Sequence, residues 1–148
     1  VLLSDPSRWR SVVDGTWTVP DVIGEFLRFE TPTLFVARVP LAPVTIGGVE
    51  IGAWEPVLVF LAAANRDPRR WEDPYRFQVR RPNAGHLGFG FGVHACVGRV
   101  LALLEAEALL GALVRNVENF EATGVPVPWM TTVGHGPVKV PVRLRFAA

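Results

Sequence analysis

The sequence predicts an α+β fold that is mainly helical, with small β-sheets set between the helices. An i, i+3/i+4 apolar stripe over residues 18–29 and a nearly all-round apolar run over residues 98–117 mark two helices. Between and after them lie short segments rich in Val, Ile and Phe, broken by Pro and Gly, which suit strands of small sheets.

The bulk properties agree with one folded unit. At 148 residues a chain can bury roughly 68–70% of its unfolded surface. Hydrophobic content of 49% with 20% charged residues is globular, and 14 Gly with 13 Pro stays below the low-complexity range. The net charge is +1, and arginines are scattered from Arg8 to Arg145 without a dense cluster, which excludes a nucleic-acid footprint. One cysteine excludes an internal disulfide framework and any CxxC zinc or thioredoxin site, so a reducing cytoplasm is the expected compartment. The N-terminal VLLSDPSRWR lacks the pattern of a secretory signal, and the longest fully apolar run, Val57 to Ala64, is too short to cross a bilayer.

Taken in order, Val1-Leu2-Leu3 before Asp5-Pro6 reads as the end of an apolar helix, and hence as the start of a fragment. The next helix spans Thr18 to Phe29: Thr18 caps, Pro20 suits the first turn, and Val22, Ile23, Phe26 and Leu27 form the stripe. Glu25 and Arg28 sit three apart on it. Leu34 to Ile51 reads as short strands with Gly47-Gly48 as a hairpin turn. Val57 to Ala64 is open between strand and helix.

Asn65 to Gly88 shows no periodicity over about two dozen residues, the length of an ordered functional loop. Gly98 to Val117 is expected to pack centrally, with most of its circumference buried. A Pro-rich loop from Val125 to Trp129 and a terminal strand through Val138, Val140, Val142, Leu144 and Phe146 complete the chain.

The sole cysteine, Cys96, lies two residues before the long helix, where unpaired N–H groups and the macrodipole favour an anion. Gly90, Gly92 and Gly98 around it permit positive φ and close approach of a flat group. His94 can donate a hydrogen bond to an anion. Three readings stay open from these residues: a soft metal ligand, a small buried hydrophobe, and a nucleophile paired with His94.

Phe89-Gly90-Phe91-Gly92-Val93-His94-Ala95-Cys96-Val97-Gly98 resembles the heme-ligand signature of the cytochrome P-450 family, F-x-x-G-x-[HR]-x-C-x-G, at every defined position. Glu25-Phe26-Leu27-Arg28 is similar to the family's K-helix E-x-x-R, and Pro74-Tyr75-Arg76-Phe77 to its meander motif P-x-R-F. Ala64-Asn65-Arg66-Asp67-Pro68 and His86-Leu87-Gly88-Phe89 look like soluble bacterial members, so the resemblance spans nearly the whole chain.

The resemblance implies the C-terminal portion of that fold: K-type helix, short strands, meander, cysteine loop and L-type helix. It implies heme b, iron protoporphyrin IX, with Cys96 as the proximal iron ligand. Phe89, Gly90, Gly98 and Ala102 fall at positions against the heme, and His94 and Arg38 at those that take propionates. Glu25, Arg28 and Arg76 resemble a buried structural triad. Leu34, Phe35, Val36 and the loop Met130 to Val133 correspond to places where members touch substrate.

The implied activity is a monooxygenase inserting one oxygen atom of O2 into an apolar small molecule, with electrons from a ferredoxin-type donor. Residues 1–148 are expected to form a partial domain that lacks the distal helix and its acid–alcohol pair, so no catalytic residue is assigned. A non-catalytic heme-binding module or inert remnant is the alternative. An unrelated Cys–His enzyme with a closed, heme-free core is a further one.

Overall fold

The structure, a computed structural model, describes residues 1–2, 5–81, 85–124 and 129–147. Helix α1 (Pro6–Val13) opens it. The Asp5-Pro6 pair was expected to follow a helix; instead it starts one. The Asp5 side chain accepts the Ser7 N–H at 2.9 Å, and Pro6 occupies a first-turn position that needs no donor.

Helix α2 (Val19–Phe29) forms where the stripe predicts, with Thr18 Oγ1 accepting the Asp21 N–H and Pro20 in the first turn. It ends at Phe29 with Glu30 as its cap, and Thr31 then takes a left-handed backbone (φ 26°) immediately before Pro32.

Strands β1 (Val36–Arg38) and β4 (Val57–Val59) pair antiparallel, with Arg38 opposite Val57. Between them β2 (Val44–Ile46) and β3 (Val49–Ile51) form a tight hairpin. Both turn residues, Gly47 (φ 59°) and Gly48 (φ 82°), are left-handed, the combination that a two-residue turn of this twist demands. The ambiguous run 57–64 is divided: β4 gives way at Phe60 to the short helix α3 (Leu61–Ala64).

The meander that follows has no helix or strand among its described residues. It is held by side chains: Trp71, 4% exposed, donates through Nε1 to the Ala64 carbonyl. Its Phe77 and Val79 join Val12 of α1 and Val22 of α2 in the buried core.

Helix α4 (Arg99–Asn116) runs where expected, but the expectation that it is buried all round is overturned. Only Leu110 and Val114 pack against the core, while Val100, Leu101, Leu104 and Leu109 are exposed. The reason is geometric: α1 and α2 cover one side of the helix, and no described element covers the other.

Strand β5 (Val117–Ala122) continues directly from α4 and pairs antiparallel with β8 (Val142–Phe146). The terminal strand is therefore real but begins at Val142, with Val138 and Val140 outside it. A second hairpin joins β6 (Trp129–Thr131) and β7 (His135–Pro137), where only a loop was expected. Of the Pro-rich loop, residues 125–128 lie outside the described residues.

Trp9 ties the two ends of the chain together. It is 2% exposed, packs edge-on against Phe120 at 4.5 Å between ring centroids, and donates through Nε1 to the Glu118 carbonyl at 3.1 Å. Replacing it with Ala is expected to cost about 3–5 kcal/mol in chemical denaturation. Trp9→Phe, which loses the hydrogen bond and part of the buried ring, should cost less, about 1–3 kcal/mol.

Candidate functional site

The site rests on a buried ion cluster. Helical spacing puts Glu25 and Arg28 one turn apart, and Arg28 grips the carboxylate with Nε on Oε2 and Nη2 on Oε1, both at 2.8 Å. The remaining Arg28 donors go to three carbonyls of the meander region: Asn65 and Pro74 at 2.9 Å and Arg76 at 3.2 Å.

The second cation on Glu25 is not the expected one. Arg81 Nε meets Glu25 Oε1 at 3.1 Å with its side chain 7% exposed. Arg76 is an exposed residue that contributes only its carbonyl, which accepts from both Arg28 and Arg81. Arg81 also donates to the carbonyls of Glu72 and Asp73, so it closes the meander onto α2. The physical reason lies in the turn: the Arg76 N–H returns to the Asp73 carbonyl at 2.9 Å, and the carbonyl at 76 serves the cluster. Arg80, left-handed at φ 63°, sits between buried Val79 and Arg81 and pairs with Asp21 at 3.4 Å.

From this cluster hydrogen bonds lead to the cysteine. Asn65, 1% exposed, donates to Thr31 Oγ1 and accepts the Leu87 N–H at 2.7 Å. The Leu87 carbonyl accepts the Gly90 N–H, and the Phe89 carbonyl accepts the Cys96 N–H at 2.8 Å. One turn of 3-10 helix, Gly92–His94, lies between, and Arg99 N–H closes back onto the Cys96 carbonyl.

Gly90 (φ 70°) and Gly92 (φ 64°) are left-handed as expected. A Cβ at Gly90 would also meet the His94 carbonyl oxygen at 3.2 Å. Gly98 departs from the expectation. Its φ is −83°, so no left-handed backbone is needed there; its missing side chain instead keeps clear the space beside the thiol, where a Cβ would stand 3.8 Å from Cys96 Sγ.

Cys96 is exposed, which removes the reading as a buried hydrophobe. Among the described residues no hydrogen bond joins it to His94, itself exposed, so the nucleophile reading has no geometric support. Arg38 is half-buried on β1 with Nη1 on the Ala37 carbonyl at 2.7 Å. Phe89 is half-buried beside His86, and Ala102 is exposed in the first turns of α4.

No group of three or more His, Cys, Asp or Glu that could hold a bare metal ion occurs among the described residues. A lone exposed thiol suits instead a metal that brings its own equatorial ligands in a flat ring and needs one soft axial donor. Val93 and Val97, flanking Cys96 in the chain, and Leu101 in the first turn of α4 are exposed apolar residues. The residues therefore fit heme.

The two apolar segments singled out for substrate contact are brought together. The Leu34 N–H donates to the Val133 carbonyl at 2.9 Å, and Thr33 bridges Gly134. Asn65, His86 and Arg81 are the working residues that the sequence left unassigned. The first two stood in recognised motifs, whereas Arg81 carried no signal distinguishing it from Arg76 and Arg80.

Fold and loop define the class first. The backbone matches solved cytochrome P450 structures: the substrate-free CYP150A6 of Mycobacterium marinum at TM-score 0.93 and 30% identity, over 100% of this chain and 39% of that one, and CYP109Q5 of Chondromyces apiculatus at TM-score 0.90 and 35% identity, over 99% and 38%. The chain belongs to the cytochrome P450 family, whose model, described as Cytochrome P450, matches residues 18–137.

It is 44% identical over 123 residues to cytochrome P450 CYP199A2 of Rhodopseudomonas palustris, covering 83% of this chain and 27% of that protein. It is 43% identical over 113 residues to the 6-deoxyerythronolide B hydroxylase of Saccharopolyspora erythraea, covering 76% and 28%. The chain thus spans little more than a quarter of the length of these relatives. The family implies a heme cofactor. No described helix is long and apolar enough to cross a membrane.

The reassignment of the second arginine is directly testable. Arg81→Ala removes one of the two cations on buried Glu25, which keeps Arg28, and is expected to cost about 1.5–3 kcal/mol in denaturant unfolding. Arg76→Ala changes an exposed side chain and should fall within about 0.5 kcal/mol of the parent.

Proposed function

We propose that this chain forms the proximal, cysteine-bearing part of a heme-thiolate monooxygenase that oxidises an apolar small molecule. The observation that carries the reading is the placement of exposed Cys96 at the head of α4, on a loop whose amide and carbonyl groups are tied back to the buried cluster. Heme b, when bound, supplies the reduction of O2 and the transfer of one oxygen atom.

The chain's own residues hold and shield. Cys96 would hold the heme iron through its sulfur, and the loop from Phe89 to Gly98 fixes its position through the Cys96 N–H on the Phe89 carbonyl. Phe89 screens the sulfur from water. Gly90, Gly98 and Ala102 would let the ring approach the backbone and α4, since none carries more than a methyl group. His94 and Arg38 would take the two propionates as charge-assisted donors. The Glu25–Arg28–Arg81 cluster is structural and keeps the loop in place for heme retention. Leu34, Phe35 and Val36, with Met130 and Val133 on the segment that Leu34 N–H joins, would give apolar contacts for substrate.

Electrons come from a ferredoxin-type donor in a reducing cytoplasm, where a single thiol stays free. The exposed faces of Val100, Leu101, Leu104 and Leu109 on α4 support operation within a longer polypeptide that covers them.

The test is the absorption spectrum of the hemin-loaded chain, reduced under carbon monoxide, beside Cys96→Ala. A strongly red-shifted Soret band lost in the variant is the expected outcome. A band typical of histidine ligation, or no uptake, in the chain expressed from its complete reading frame would favour a non-catalytic remnant.

A further inference from the structure

We propose that His86 is a positioning residue for the cysteine loop that works only as the neutral imidazole, its Nδ1 accepting the Gly88 N–H and holding the turn that carries Phe89. The inference deepens the heme-thiolate reading and rests on it. His86 stands ten residues before Cys96 and touches the loop from the side of the meander.

The geometry starts from one bond. Gly88 N donates to His86 Nδ1 at 3.1 Å, which assigns the ring proton to Nε2. Only glycine fits at this contact, because a Cβ at 88 would stand 3.0 Å from both His86 Nδ1 and the Leu27 carbonyl oxygen of α2. The flanking residue is fixed as well: Leu87 N donates to buried Asn65 Oδ1.

Positions 87, 88, 90 and 96 thus spend their amides in series, on Asn65, His86, Leu87 and Phe89. Only the His86 acceptor can change its protonation in the ordinary physiological range. A protonated imidazole would turn Nδ1 from acceptor to donor and set two N–H groups against each other.

The surroundings hold the neutral form. His86 lines a cleft of about 440 Å3 between α2, the meander and the start of α4. Arg99 opens α4; Asp21, Glu25 and Arg28 belong to α2; Arg80 and Arg81 belong to the meander. Burial pushes the His86 pKa below its ordinary value, and the Arg99 charge adds to the shift; Arg28 acts the same way and Glu25 opposes it. Because the folded value lies below the unfolded one, the folded loop suffers no penalty above the ordinary His pKa. It loses stability as pH falls from about 6.5 through the depressed folded value.

The experiment uses the holoprotein expressed from the complete reading frame that encodes the chain, followed between about pH 5 and 8. Peptide-resolved hydrogen exchange over residues 87–96 is read as protection relative to the intrinsic rate, alongside the thiolate signature of the reduced carbon monoxide complex. In the parent, protection is expected to fall about fivefold as the pH drops below the ordinary His value, with the thiolate signature declining over the same interval. His86→Asn, whose Oδ1 can replace Nδ1 without titrating, should keep both readouts flat across the range. His86→Phe should show low protection at every pH.

A flat parent profile, or a parent and His86→Asn that titrate alike, overturns the proposal. Loss of the thiolate signature in the parent even at the alkaline end overturns the heme reading instead, while the exchange profile still decides the His86 bond.

Discussion

One buried guanidinium joins α2 to the meander that leads to the cysteine loop. Arg28 is 1% exposed, and its five N–H donors all find acceptors: two on Glu25 and three on carbonyls of Asn65, Pro74 and Arg76. A fully satisfied arginine offsets its desolvation only when each donor is matched, so the geometry of three separate segments is fixed at once. Trp71 adds a ring face 5.4 Å from the guanidinium carbon. The meander, which has no backbone ladder of its own, borrows its order from this side chain.

The same economy explains how an exposed thiol can be placed accurately. Cys96 has few side-chain neighbours to position it, so its location is set by backbone amides running back to Asn65 and from there to α2. A loop holds a side chain accurately only when the elements behind it are rigid. Glycine at 90 and 92 makes the path possible by taking backbone that other residues resist.

The exposed apolar surface belongs to the same logic. Core packing in this chain gathers around Val12, Val22, Phe77 and Val79, on the side of α2 that faces the meander and α1. The face of α4 bearing Leu101 and Leu104 is left open, although its sequence is as apolar as that of a buried helix. Composition records the surroundings a helix is suited to, and the described elements of this chain cover one side of α4.

Much of this was legible in the sequence. The two main helices, the Gly47-Gly48 hairpin, the irregular meander and the cysteine at a helix start all follow from local physics: capping, periodicity and the steric freedom of glycine. What the sequence left undecided was choice among equivalents. Arg76, Arg80 and Arg81 lie within six residues of one another and differ in nothing local, yet one is exposed, one pairs with Asp21 and one with Glu25. Asp5-Pro6 reads as the close of an apolar helix yet starts α1, and β5 follows α4 without a break that propensity could mark. Local rules fix what a residue can do. Which arginine reaches a buried carboxylate depends on where the meander's turns place each side chain, and that is decided only when distant segments meet.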